Sequence, residues 1–258
     1  MLAGAGGLAR VSDVALLKRF RGAGGWFREL CLRLLAETAS TPAAAPGLVM
    51  QLVDATHVKE PGRTGRRWRI HYALEFPALR CRHLAVSPDS GPGVGESFRH
   101  FPAAAGDCLI GDRGYCTTEG VAGTVGRGGH VIVRFNPLHM RLHRGDGSRL
   151  DVDAALAAWP ASVRQMAWPC TIRPAAGESI RGRLLAIRKS KAATEAAIVR
   201  VRRNAVKNQY TIRKPILEYA KYVMVFTTLP QDRLDDDHCL EWYRLRWQIE
   251  IAFKRLKS

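Results

Sequence analysis

Residues 48–88 constrain the fold most, because they hold three β-type runs joined by turns that suit an antiparallel meander. LVMQLVDATHV (48–58) is a nearly continuous apolar run with Asp54 near its end. RRWRIHYALEF (66–76) alternates, placing Trp68, Ile70, Tyr72 and Leu74 on one face. RCRHLAVSP (80–88) is the third run, and PGRTG (61–65) and PAL (77–79) are the compact joints. Further on, CLIGD (108–112) predicts a short buried strand ending in an acid, and HVIVRFN (130–136) another strand. GVGESFRHF (93–101) and, more weakly, TTEGVAGTVGRGG (117–129) predict helices.

The flanking regions differ in character. WFRELCLRLLAET (26–38) places Phe27, Leu30, Leu34 and Leu35 on one helical face, so 1–46 is expected to be a helical segment. Residues 137–220 mix turn residues, scattered apolar pairs and many cations, as in RGRLLAIRKSK (181–191) and VRRNAVKNQYTIRK (201–214). They predict a basic, β-rich insertion. YVMVFTTLP (222–230) predicts a buried strand, and 234–258 one long helix with acids at its positive end. The expected organisation is therefore an N-terminal segment (1–46), a core split into 47–136 and 221–258, and an insertion (137–220).

Charge narrows the function. Forty Lys and Arg against 23 Asp and Glu give a formal net charge of +17. Arg-rich basicity points to a polyanionic partner, although a coding bias towards Arg would also raise it. The six cysteines form no CxxC pair and no zinc-finger spacing, which suits reduced thiols. No apolar stretch reaches the ~18 residues of a membrane span, and the start lacks a secretory pattern. A soluble cytoplasmic protein is expected.

Metal-dependent phosphoryl transfer needs carboxylates converging from separate elements. Asp54 and Asp112 each end an apolar run, where an unpartnered charge is costly. Each also has a simpler reading as a turn or capping residue. Glu250 lies in WQIEIAF on the last helix. At about 100° per residue, Tyr243, Arg246, Glu250 and Lys257 share an arc of roughly 60°. That face could hold a metal-binding acid beside phosphate-binding groups, or simply an i,i+4 Arg246–Glu250 pair in solvent.

These residues resemble a known family. Y243-RL-R246-WQI-E250-IAFKRL-K257 matches at all four positions the Tyr-x2-Arg-x3-Glu-x6-Lys helix motif of bacterial DDE transposases of the insertion-sequence-four type. VDATHV, with Asp54 and Thr56, is similar to the family's first-acid strand, and GDRGY, with Asp112, to its second-acid motif. VIVRFN, with Arg134, is similar to the strand that follows. The resemblance implies an RNase H-like α/β fold, a mixed sheet with flanking helices and a β-rich insertion before the catalytic helix. It implies Asp54, Asp112 and Glu250 as catalytic ligands of two Mg2+ or Mn2+ ions. It further implies Tyr243, Arg246, Lys257 and Arg134 as DNA contacts. The implied partners are inverted-repeat ends, target DNA and a second copy in a synaptic homodimer, in a bacterial, nucleoid-associated setting. Trp159 and Trp168 are candidates to stack on a flipped base, or are core tryptophans. The chain ends eight residues after Glu250, where such transposases usually continue, so truncation to an inactive DNA-binding remnant is the alternative. A third reading is an RNase H-like nuclease without strand transfer.

Overall fold

The computed structural model describes residues 47–257 except Pro61, Thr64, Pro92 and Arg213, together with Ser12, Ala15 and Arg19. The expected N-terminal helix of 26–38 lies outside the described residues.

Eight strands form one mixed sheet: β1 (Val49–Lys59), β2 (Arg67–Phe76), β3 (Arg80–Pro88), β4 (Asp107–Gly111), β5 (His130–Arg134), β6 (Gln165–Ile172), β7 (Ile180–Arg188) and β8 (Tyr222–Thr227). Their spatial order is β3-β2-β1-β4-β5-β8-β7-β6. The first three form the expected antiparallel meander. β1, β4 and β5 run parallel at the centre, where burial on both faces explains their continuous apolar sequences.

Among the described residues, six α-helices accompany the sheet: α1 (Thr118–Val125), α2 (Val152–Ala157), α3 (Lys191–Lys207), α4 (Lys214–Tyr219), α5 (Asp236–Leu245) and α6 (Trp247–Lys257). The two-residue period of the strands divides the core. Val53, Leu109, Val131 and Val133 pack with Phe98, Phe101, Tyr115 and Val121. Leu52, Ile110 and Ile132 pack on the other side with Leu240, Trp242, Ile249 and Phe253 of α5 and α6. This is an RNase H-like fold.

Three local expectations are corrected. The 93–101 segment forms only a short 3-10 turn at Phe98–His100, capped by the Ser97 side chain. The last helix is two: Arg246 N donates to Tyr243 O and Ile249 N to Arg246 O, three-residue bonds that tighten the chain between α5 and α6. Residues 137–220 contribute three helices as well as the β6–β7 hairpin. That hairpin extends the central sheet through β8. VRRNAVK, within the segment expected to be β-rich, belongs to α3, whose start is capped by Ser190.

A half-buried ion pair joins the hairpin to the helix face. Arg183 of β7 pairs with Asp236 at the start of α5 and donates to Leu234 O at 2.7 Å. Trp159 is also structural: it is buried, stacks on Tyr222 at 5.4 Å and lies edge-on to Trp168 at 5.8 Å. The Arg188 guanidinium covers its ring at 4.3 Å.

Candidate active site

Strand register assembles the site. Leu52 pairs with Ile110, and Ile110 with Ile132. Two residues further along each chain, Asp54, Asp112 and Arg134 reach the same carboxyl-end edge of the three parallel strands, where open α/β sheets bind ligands. By strand parity they continue the face covered by α5 and α6. Asp54 stands opposite Tyr72 in β2, whose ring tilts against Phe253 of α6 at 5.8 Å.

Each acid has a distinct environment. Asp54 Oδ1 accepts from Ala55 N at 2.8 Å. Burial raises its pKa to about 6; the Ala55 bond opposes this, Asp112 and Glu96 repel its charge, and Arg246 attracts it. Asp112 caps the turn Arg113–Tyr115, its Oδ1 accepting from Gly114 N at 2.8 Å. The capping reading of Asp112 therefore holds, on a side chain that also stands beside Asp54 at the sheet edge. Gly111, just before it, is required small: a Cβ there would lie 2.9 Å from both Phe98 Cζ and Tyr115 Cβ.

Glu250 is more exposed, at 48% of its side chain, and accepts from Arg246 Nη2 at 2.5 Å. The solvent-side i,i+4 pair therefore forms. Arg246 is the link between the acids. Burial would lower its pKa, but Tyr243, Glu250 and Asp112 raise it. Arg134 donates to Tyr222 O at 3.2 Å and neighbours Tyr243, Arg113 and Arg246. Lys257 ends α6, and its side chain lies outside the described residues.

Among the described residues, no three carboxylate, imidazole or thiol groups already converge as a metal cluster. The donor chemistry nevertheless fits a hard divalent cation. Asp54 and Asp112 repel one another at a partly buried strand edge, and oxygen-rich, incompletely neutralised sites are what Mg2+-type ions occupy. Glu250 would join them by exchanging Arg246 for the ion.

Several groups at the site escape sequence reasoning. Glu96 interacts with both Asp54 and Asp112. Its segment, GVGESFRHF, carries no spacing signal. Arg113, Lys189 and Arg200 cluster with Arg134; burial, then these three arginines, pulls the Lys189 pKa down to about 8. Their meeting depends on how β5, β7 and α3 pack, which no local pattern encodes.

The mixed sheet and its flanking helices define an RNase H-like protein. The family model described as Transposase DDE domain matches residues 91–258. The chain is also 30% identical over 261 residues to the putative transposase InsL of insertion sequence element IS186A from Escherichia coli K12. It is 30% identical over 261 residues to the transposase of insertion sequence element IS421 from Escherichia coli. Each match spans 97% of this chain and 68% of the relative. The chain belongs to the DDE transposase family, and it is a DNA transposase of the polynucleotidyl-transferase type. No helix among the described residues is long and apolar enough to cross a membrane.

Proposed function

We propose that Asp54, Asp112 and Glu250 together hold two Mg2+ or Mn2+ ions and that this site cuts insertion-sequence ends and joins them to target DNA. The observation that carries this is the row of Asp54 and Asp112 at one sheet edge with Arg246 connecting them to Glu250. When bound, the ions supply Lewis acidity at the scissile phosphate and favour the attacking oxygen. The protein's own groups position the DNA. Tyr243, Arg246, Arg134 and Lys257 would contact the phosphates, and Arg246 pairs with Glu250. In strand transfer the freed 3′ oxygen forms a bond to a target phosphorus, and that phosphorus releases the target strand's own 3′ oxygen.

Arg113, Lys189 and Arg200 continue the positive surface away from the acids, a path suited to the DNA backbone. On this reading 137–220 is an insertion whose hairpin joins the core sheet, synapsis uses two copies of the chain, and the protein works on the bacterial nucleoid in the cytoplasm. Alanine at Asp54, Asp112 or Glu250 should abolish Mg2+- or Mn2+-dependent cleavage of an end-labelled transposon terminus while gel-shift affinity for the same duplex persists. Undiminished cleavage in all three variants would exclude the assignment.

A further inference from the structure

Gly114 marks an oxygen-lined point beside the catalytic row. A Cβ at this residue would lie 1.7 Å from Glu96 Oε2 and 3.2 Å from Asp112 Oδ1. The Glu96 carboxylate therefore occupies the space that the missing side chain leaves, next to Asp112. The neighbouring cation is engaged elsewhere: Arg69 donates through Nη1 to Val94 O at 2.9 Å, and its Nη2 lies 3.2 Å from His57 and 3.8 Å from Asp89. Among the described residues no cation forms an ion pair with Glu96. A half-buried carboxylate beside two others, whose desolvation and repulsion Arg69 and His57 offset only in part, is unfavourable unless a ligand supplies further positive charge.

A second group points to the same ligand. Tyr115 is fully buried, and among the described residues its hydroxyl has no hydrogen-bond partner. The phenol neighbours the carboxylates of Asp54, Glu96 and Asp112. A buried hydroxyl with nothing to donate to normally marks a missing partner.

We infer that Glu96 is a fourth carboxylate of the catalytic centre, which acts at one water's remove on the divalent cation shared by Asp54 and Asp112, with the Tyr115 hydroxyl donating into the same water layer. This rests on the proposed two-ion site. Mg2+-type ions keep several waters, and carboxylates that hold those waters tune affinity. Glu96 is thus a positioning residue that selects where the hydrated ion sits.

Mn2+ binding to the full chain, read from loss of the free-ion electron paramagnetic resonance signal, tests the inference without turnover. Glu96→Gln should weaken Mn2+ about 10-fold or more, the range for groups that orient a metal's surroundings. Tyr115→Phe should weaken it in the same direction, with duplex-DNA affinity unchanged in both. Gly114→Ala keeps every charge but displaces the Glu96 carboxylate, and should also lose affinity. Melting curves confirm that each variant is folded, and Glu96→Asp, with partial affinity, serves if Gln is not. Wild-type Mn2+ affinity in folded Glu96→Gln overturns the role of Glu96. Asp112→Asn separates the two claims. If it loses Mn2+ while Glu96→Gln does not, only the inference fails. If Asp112→Asn itself binds Mn2+ normally, the two-ion site is wrong.

Discussion

Asp54 retains its proton to about pH 6 because burial strips it of water and Asp112 and Glu96 repel its charge. Its ordinary pKa is 3.8, so between these values the folded state binds more protons than the unfolded one. Stability without metal should then fall as pH rises from about 4 to about 6, and stay lower above it, by roughly 2–3 kcal/mol. Asp54→Asn should remove that cost. In EDTA the variant should melt several degrees higher than wild type at pH 7 and show no advantage near pH 4. An identical pH profile for both proteins would mean that Asp54 is not desolvated as described. At this scale the sequence was informative for Asp54 and Asp112, since both end apolar runs. It was silent on Glu96, because its meeting with Asp112 depends on the fold of an irregular loop.

Elements show the same division. The three-strand meander was legible because alternation and turn residues are local signals, and β3 spans the expected Arg80–Pro88. α3 was not, because of its seventeen residues only Ala205 is buried, leaving no apolar stripe to read. The break between α5 and α6 was hidden too: apolar spacing continues through Arg246, while three-residue hydrogen bonds tighten the backbone. That break means that a single-helix wheel does not describe how Tyr243 and Glu250 relate. Holding α5 in place falls partly to Arg183, buried at 8% exposure and paired with Asp236. Removing Arg183 breaks this half-buried pair and leaves Leu234 O without its bond, so Arg183→Ala should lower unfolding stability by about 1–3 kcal/mol in urea titration. A loss within 0.5 kcal/mol would show that the pair does not anchor the helix.

For the molecule as a whole, the strands set a row of two acids and an arginine along one edge, and cations from four elements extend from it. Arg134 neighbours Arg246 and Arg113, and Lys189 neighbours Arg134, Arg113 and Arg200. The +17 charge announced a polyanionic partner but not the path, because the path exists only once β5, β7, α3 and α5 are packed. If phosphates follow it, Lys189→Gln and Arg200→Gln should each flatten the slope of log affinity against log salt by about 1 on any duplex sequence. Unchanged slopes in both variants would place the DNA elsewhere.

The central claim is that this row of acids performs metal-dependent strand transfer. Its most direct test supplies the purified chain with a duplex carrying the exposed 3′-OH of its own insertion-sequence end, plus supercoiled target DNA, in Mg2+ or Mn2+. The account predicts a covalently joined product that disappears with EDTA and with Asp112→Asn or Glu250→Gln. Joining that survives in those variants, or hydrolysis of the DNA with no joined product, would contradict it.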